Sequence, residues 1–391
     1  MSSNWNVVPF TEAVDICDTL RKPINSSERA SRIKGKEQSE LYPYYGATGQ
    51  VGFIDDYITD GEYVLLGEDG APFLDAFSNK AYIISGKTWV NNHAHVLRSK
   101  TNNKFLCYYL NSFNYKGYVS GTTRLKLTQA EMKRIPVPVP PLSEQERIVA
   151  RIEELFSQLD AGVETLKKTK AQLAVYRQAA ITEAFSVDNN TPNVCLSDIA
   201  QIIGGITKGR NLSGTETIEL PYLRVANVQN GYLDLSEIKT IKLRVDEKER
   251  YLLKPGDVLY TEGGDRDKLG RGTVWRGEIK DCVHQNHIFK ARVDQSKAIP
   301  EYVAFWSMST PARNYFYQKG KQSVNLASIN KTVLSALTLP LPALEKQREI
   351  INHIESRLSV CDSIEQTVDA ALHQAEAMRQ SILKDAFEGK L

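Results

Sequence analysis

The sequence predicts an α+β protein: two mixed, mostly β domains joined by two long antiparallel coiled-coil helices, with an internal two-fold repeat. Three observations carry this. First, Pro138–Ser186 shifted by 202 positions lands without a gap on Pro340–Glu388. Pro138, Pro140, Leu142, Gln145, Ile148, Ile152, Glu153, Asp160, Arg177 and Gln178 meet Pro340, Pro342, Leu344, Gln347, Ile350, Ile354, Glu355, Asp362, Arg379 and Gln380. A gapless match of that length marks two copies of one unit. Second, each copy holds a long proline-free run with apolar residues mostly three or four apart, the period of a helix. Third, the stretches outside those runs are rich in Gly, Asn, Tyr, Val and Thr and carry strand-like runs such as EYVLLG, AYIIS, DVLYTE and GTVWRG.

Taken in chain order, residues 1–142 form the first domain, with a short helix predicted over 104–111. It ends in the lead-in IPVPVPPLSEQ, where proline fixes φ and biases its predecessor to extended backbone, so no helix survives there. Ser143 then stands as N-cap with Glu146 three residues on, the capping-box pattern. The central helix spans 143–186, with apolar residues at Ile148, Ile152, Leu155, Leu159, Val163, Leu166, Leu173 and Tyr176 and a single glycine, Gly162. At about 1.5 Å per residue it is a rod of roughly 66 Å. The second domain spans 187–344, with a short helix predicted over 301–308. After LTLPLPALEKQ, which lacks the double proline and the Ser-Glu of the first lead-in, the C-terminal helix spans 345–391. Its stripe is Ile350, Ile354, Leu358, Cys361, Ile364, Val368, Leu372, Ala375, Met378 and Ile382. Such a stripe does not stay in water, and the simplest partner for each helix is the other copy.

The two domains match more loosely. Phe10-Thr11-Glu12 and Ile16 parallel Leu196-Ser197-Asp198 and Ile202 at a shift of 186. Val64, Leu65, Glu68, Gly70, Asn92 and His93 parallel Val258, Leu259, Glu262, Gly264, Asn286 and His287 at a shift of 194. The shift grows along the chain, as loop insertions would make it do. Similar frameworks with different loops point to two recognition tasks performed in one way.

Composition bounds the partners. At 391 residues, 41% of them hydrophobic and 25% charged, the chain has ample material for several cores. No apolar run reaches the length of a membrane span, and the N-terminus lacks the pattern of a secretory signal. Five widely spaced cysteines, an odd number, read as reduced thiols in a cytoplasm. A net charge of +2 gives little support by itself for a nucleic-acid partner.

The arrangement of domain, PxPPLxEQ lead-in, long helix, domain, PLPxLxxQ lead-in and long helix resembles the specificity subunit of type I restriction–modification enzymes. VPVPPLSEQERIVARIEELFSQLD, GDVLYTEGGDRDKLGRG followed by HQNHIF, YYGATGQVGFIDDY and VLLGEDGA carry the resemblance, which covers essentially the whole chain. It implies that 1–142 and 187–344 are target recognition domains, each reading one half of a split sequence in double-stranded DNA. It implies that the helices pack antiparallel as a spacer and dock two adenine methyltransferase subunits. It also implies that this chain has no catalytic site and no cofactor of its own. S-adenosylmethionine, ATP and Mg then belong to the methyltransferase and the restriction/translocase subunits, in a cytoplasmic system of phage defence. A non-DNA scaffold of two adhesin-like β globules on a coiled coil is the alternative.

Enzyme signatures are sparse. There is no phosphate-binding loop of the G-x-x-x-x-G-K-S/T kind, and the only double proline, Pro140-Pro141, belongs to a helix lead-in rather than a methyltransferase pocket. Asp257 ahead of Glu278 and Lys280 is a D…ExK arrangement that metal-dependent nucleases use, but the pattern is short, recurs by chance and has no counterpart in the first repeat. Cys282, His284 and His287 cluster, and His93 and His95 alternate. Only the His93–His287 pair is shared between repeats, and zinc needs about four such ligands. The glycines around Gly67–Gly70 and Gly263–Gly264 read as turns between strands.

Reading base edges needs Arg, Lys, Asn, Gln, Ser or Thr on loops that reach a groove. The candidates are Tyr44, Tyr45, Lys87, Thr88, Asn91, Thr122, Thr123 and Arg124 in the first domain. In the second they are Lys208, Arg210, Asn211, Arg266, Lys268, Arg271, Lys319, Lys321 and Gln322. Singly, each is equally a solvated surface group. The 121–124 and 320–322 loops both precede a helix lead-in, so they hold equivalent places in the two copies.

Overall fold

The computed structural model describes residues 5–186, 191–322 and 327–391, with the side chains of Asp267 and Gln322 outside the description. The chain divides into two compact units, 1–167 with 368–391 and 168–367. The long helices are Leu142–Ala184 and Leu344–Phe387, so each unit holds one globule, the adjoining part of the central helix and part of the C-terminal helix.

In the first unit Asn6–Pro9 pairs antiparallel with Pro136–Val139. A four-stranded sheet runs in the order Val14–Ile16, Ala94–Ser99, Tyr63–Gly67, Ala81–Ile84, antiparallel throughout. Tyr63–Gly67 is buried at every residue, which is why it reads as an unbroken apolar run and not as an alternating one. A second sheet runs Gly49–Ile54, Tyr42–Gly46, Lys87–Val90, Thr59–Asp60, with Tyr42–Gly46 parallel to Lys87–Val90. The helix Asn103–Ser112 covers the first sheet. Asn102 caps it by accepting from the Phe105 amide at 3.0 Å, and Leu106 and Leu110 enter the main core beside Phe10, Val64, Leu66 and Leu97.

The second unit repeats this topology. Asn193–Cys195 pairs with Thr338–Pro340. A four-stranded sheet has the order Ala200–Gly204, Ile288–Val293, Asp257–Thr261, Gly272–Val274. A three-stranded sheet has the order Lys239–Arg244, Thr217–Leu223, Val283–His284, again with one parallel pair. The helix Pro300–Met308 takes the place of Asn103–Ser112, and Thr310–Lys319 is an addition. Strand order, the parallel pairing and the covering helix therefore all recur, although little of the globule sequence does.

The helix starts differ from the capping-box expectation. The central helix begins one residue early, at Leu142, and the Pro141 carbonyl accepts from the amides of Glu144 and Gln145 at 2.9 and 3.0 Å. Ser143 thus lies inside the first turn. What fixes each start is the repeated glutamine. Gln145 is buried, donates to the Pro140 carbonyl at 2.9 Å and accepts from the Thr101 hydroxyl at 2.9 Å. Gln347 is buried, donates to the carbonyls of Pro342 at 2.9 Å and Lys297 at 3.1 Å, and accepts from the Ile299 amide at 2.9 Å. A buried amide that both donates and accepts is orientationally specific, so each glutamine clamps a helix start to its own globule.

The apolar stripe also divides its labour. Ile148 and Ile152 pack with Phe105 of the globule and with Leu383 and Ala386 of the C-terminal helix. Ile350 and Ile354 join the globule core of the second unit, with Leu358 packed at its edge and Ile181 and Phe185 beside them. Further along, burial follows a seven-residue period. Leu173 and Ala180 are buried on the central helix, and Ile354, Cys361, Val368 and Ala375 on the C-terminal one. Leu155, Leu159, Leu166 and Leu372 are half-buried. Ile364 is a correction: it is 40% exposed, three residues past the seam position Cys361 and off the packed face.

Ion pairs give the direction of pairing. In the first unit Arg379 pairs with Asp160, its guanidinium lies 4.3 Å from the centre of the Phe156 ring, and Arg147 donates to the Leu391 carbonyl at 2.9 Å. In the second, Arg177 pairs with Asp362 at 2.6 Å and Glu365 at 2.9 Å, and Arg357 with Glu183 at 2.6 Å. Rising numbers on one helix meet falling numbers on the other, so the segments run antiparallel. Asp160 and Arg177 are the repeat partners of Asp362 and Arg379, so one charge pair is made twice, with the helices exchanging roles.

Candidate nucleic-acid interface

Each globule carries a crossing of backbone that organises its polar edge. In the first, the Glu68 amide donates to the His93 carbonyl at 2.8 Å and the Glu68 carbonyl accepts from the Leu127 amide at 2.7 Å. In the second, Glu262 makes the same bonds to His287 at 2.9 Å and Ile329 at 2.8 Å. A ladder follows at both places: Lys126 bridges Asp69 and Ser120 in the first, while Ala327–Ser328 pairs with Gly263–Gly264 and Lys321–Gln322 in the second. The hairpin ahead of each helix lead-in is therefore stitched to the loop after the central strand, at equivalent positions in the two repeats.

In the first globule this stitching shapes an open cleft of roughly 740 Å³. Asn91, Thr122, Thr123 and Arg124, four of the sequence candidates, line it together with Val51, Asp69 and His93. Arg124 forms an ion pair with Asp69 and remains 62% exposed; His93 Nδ1 stands 3.4 Å from the same carboxylate. Asn91 accepts from the His93 amide at 2.8 Å, which sets its side chain at the cleft wall. Gly70, at φ +76, is where the chain turns beneath Arg124: a Cβ there would stand 3.1 Å from the guanidinium Nε. The arrangement offers hydroxyls, an amide and a guanidinium to a ligand rich in acceptors and phosphate.

The other candidates of this globule fare differently. Tyr45 is half-buried and packs on Tyr82 with ring centroids 5.9 Å apart, while Lys87 is exposed and sits 4.7 Å from the Tyr57 ring centre. Tyr44 and Thr88 are corrections. Tyr44 is buried with Ile54 and Trp89, its ring under the Arg29 guanidinium, and Thr88 is buried with its hydroxyl 2.5 Å from that of Thr59. Both face the sheet interior, because the strand period turns alternate residues inward.

In the second globule the cationic candidates form two groups. Around the three-stranded ladder, Arg266 lies 4.3 Å from the Tyr317 ring centre, Lys268 pairs with Asp265 and Arg271 donates to Gln229 at 3.1 Å. Lys319 and Lys321 are exposed beside them; Gln322 contributes described backbone only. Lys208 and Asn211 are exposed on a separate loop, where Arg210 is held by a bidentate pair to Glu247, both bonds 2.9 Å. The Arg210 guanidinium is thus committed within its own globule.

Residues that suggested other chemistry are structural. Asp257 is buried and takes two bonds from Arg292, at 2.8 and 2.7 Å, and one from the Lys254 amide at 2.8 Å. Glu278 instead accepts from the Arg276 amide at 3.0 Å, so the two carboxylates of the D…ExK pattern are each engaged by separate structural donors. Among the described residues no three His, Cys, Asp or Glu side chains converge as metal ligands. His284 is buried with Nδ1 3.1 Å from the Tyr251 carbonyl, and burial pushes its pKa down to about 4. Burial likewise pushes the Cys282 thiol up to about 12. Sequence reading missed a polar cluster in the first globule. Asp18 accepts from His95 Nδ1 at 2.8 Å, from Gln129 at 3.0 Å and from the Val96 amide at 3.0 Å. Burial opposes its ionisation, yet these bonds, that from His95 foremost, hold its carboxyl below the usual range. Its members lie up to 111 positions apart in the chain, and no local signal joins them.

A doubled fold with a polar, cation-bearing edge on each copy and antiparallel helix pairing defines a repeat-built recognition protein. The sequence signature of the type I restriction modification DNA specificity domain matches residues 3–174 and again 189–374, and the chain belongs to that family. A putative type I restriction enzyme specificity subunit of Haemophilus influenzae, S.HindORF215P, is 26% identical over 384 residues, spanning 94% of this chain and 91% of that protein. The EcoKI specificity subunit of Escherichia coli is 26% identical over 309 residues, spanning 73% and 65%. Among solved structures, a chain from a study of complex assembly and conformational transition in the type I R-M system superposes with a TM-score of 0.70 at 18% identity, covering 100% of this chain and 99% of that one. The HsdS subunit of Thermoanaerobacter tengcongensis gives 0.53 at 16% identity, covering 100% and 98%. These likenesses show the same two-domain, two-helix fold. Among the described residues no helix is long and apolar enough to cross a membrane.

Proposed function

We propose that this chain is the DNA sequence-recognition subunit of a type I restriction–modification assembly. Each globule reads one half of a bipartite duplex target, and the paired helices dock two adenine methyltransferase subunits. The observation that carries this is the doubled family match, once over each globule with the greater part of its helix. The chain itself performs no chemistry: S-adenosylmethionine is bound by the methyltransferase subunits, and ATP and Mg by a restriction/translocase subunit. The system works in the cytoplasm, in keeping with five free cysteines.

A net charge of +2 fits this division of labour. A protein that neutralised many phosphates alone would carry a basic excess, so the partner subunits enclose the duplex and supply much of the charge. The scaffold reading is not favoured, because the family match takes in both globules and not the helices alone.

The test is co-expression with the methyltransferase of the same organism, followed by genome-wide mapping of methylated adenines. Methylation at a two-part sequence that depends on this chain is expected. Methylation of the same sites without it, or no stable complex with the methyltransferase, would sink the reading.

A further inference from the structure

The loop after the central strand differs in chemistry between the repeats. In the second unit the connection from Asp257–Thr261 to Gly272–Val274 carries Arg266, Lys268 and Arg271. In the first, the topologically equivalent connection from Tyr63–Gly67 to Ala81–Ile84 presents Leu74 and Phe77, 59% and 56% exposed. Two large apolar side chains within one turn stand in water and serve no core.

The loop that carries them is fixed. Phe73 anchors it, buried against Tyr115 with ring centroids 5.1 Å apart. The Asp75 amide donates to the Pro72 carbonyl at 3.1 Å, and the Asp75 carboxylate accepts from the Phe77 amide at 2.9 Å and from Ser78. At the far end the Lys80 amide donates to the buried Asn111 at 2.7 Å. The Asp75 carboxylate is exposed, and each of its oxygens is engaged by a donor of its own loop. Ala71 and Pro72, at the root of the loop, line the same cleft as Asn91, Thr122 and Arg124.

We propose that Leu74 and Phe77 are an apolar wedge that enters the duplex at a base step of the half-site read by the first unit. The inference rests on the DNA-recognition reading above. Phe and Leu are the residue types that part stacked bases, and unstacking a step lets the duplex bend onto more protein surface. The cleft beside the wedge supplies the polar contacts that hold register. The second unit, with cations in the equivalent loop, engages its half-site through phosphates and leaves the bases stacked.

The experiment uses the full chain assembled with its methyltransferase and a duplex carrying the mapped site, probed with permanganate for unstacked thymines. Each half-site carries the thymine left unpaired where the methyltransferase flips its target adenine. Beyond these, wild type is expected to expose a reactive thymine at a base step in one half-site only, and this extra reactivity is the readout. Leu74→Ser with Phe77→Ser abolishes that reactivity and weakens binding by about tenfold, in line with the loss of one base–aromatic stack, while the sequence methylated is unchanged. Phe77→Trp keeps the reactivity, and its tryptophan emission is quenched on duplex binding. Binding by wild type with no reactive thymine beyond those opposite the target adenines, or extra reactivity that survives the double substitution, overturns the wedge and leaves DNA recognition standing. Loss of methyltransferase from the doubly substituted complex also overturns it and assigns the patch to a protein partner. Failure of the wild-type assembly to bind any duplex instead rejects the recognition reading itself.

Discussion

His284 shows how a single buried side chain carries a testable consequence. Its ring is enclosed, and burial favours the neutral form, holding its pKa near 4. An unfolded chain binds that proton with a pKa of about 6.5, so between these values the unfolded state takes up more protons and stability falls as pH falls. Lowering the pH from 7 to 4.5 should therefore cost roughly 2–3 kcal/mol through this residue. Urea unfolding of wild type and His284→Asn at both values measures it, and equal losses in the two proteins would rule the assignment out. Single residues are also where sequence reading met its limit. His284 was visible as one of a cysteine–histidine cluster, but spacing alone cannot separate a metal ligand from a core histidine. The structural role of Asp257 could not be named for the same reason: its partner Arg292 lies 35 positions away and is joined to it by strand pairing. Tyr44 and Thr88 were plausible surface groups until the strand register turned them inward.

The elements were far more legible. The gapless repeat and the apolar period fixed both long helices to within a few residues, because a helix is a local structure whose periodicity is written in the chain. The short helices predicted over 104–111 and 301–308 are observed as Asn103–Ser112 and Pro300–Met308. What local pattern could not supply was the set of long-range bonds: that glutamines rather than a serine cap fix the helix starts, and that the first turns pack into globule cores. Nor does a run of apolar residues reveal that Ile364 leaves the seam. The reciprocal ion pairs, in contrast, join residues that the repeat itself identifies. Asp160→Arg should destabilise the first unit by about 1 kcal/mol, the upper end for an exposed pair, and adding Arg379→Asp should restore most of that. Thermal midpoints of the two variants decide the matter; a double variant no better than the single one would mean that the pair does not set helix register.

Across the full chain, the two globules share a topology but not a surface. Arg124 sits in a cleft of the first, whereas Arg266 and Lys268 edge a ladder in the second. If each globule reads its own half-site, their effects separate. Arg124→Ala should relax the methylated sequence in one half and weaken binding several-fold, since a lost base contact costs about 1–3 kcal/mol. Arg266→Ala with Lys268→Ala should leave that half intact, weaken binding and make it less dependent on salt, because phosphate contacts are lost. Sequencing of methylated adenines in cells carrying each variant is the measurement, and relaxation of both halves by either variant would contradict independent reading. Arg210→Ala belongs to another category: with Glu247 stripped of its partner, lower stability is expected before any change in the site chosen.

The division of the chain between the units bears on synthesis at the ribosome. The second unit is one uninterrupted stretch, 168–367, and every group it needs has been synthesised before residues 368–391 are added. The first unit, although translated earlier, borrows 368–391: Phe387 seals Phe105 and Tyr109, and Leu383 and Ala386 close over Ile148 and Ile152. The usual order, in which an N-terminal domain folds ahead of its C-terminal neighbours, fits the main core, built from residues between Phe10 and Val137, but not this seam, whose other side is made after the whole second unit. The seam over Ile148 and Ile152 stays open until 368–391 are made and available to pack, so it is the last part of the first unit to close.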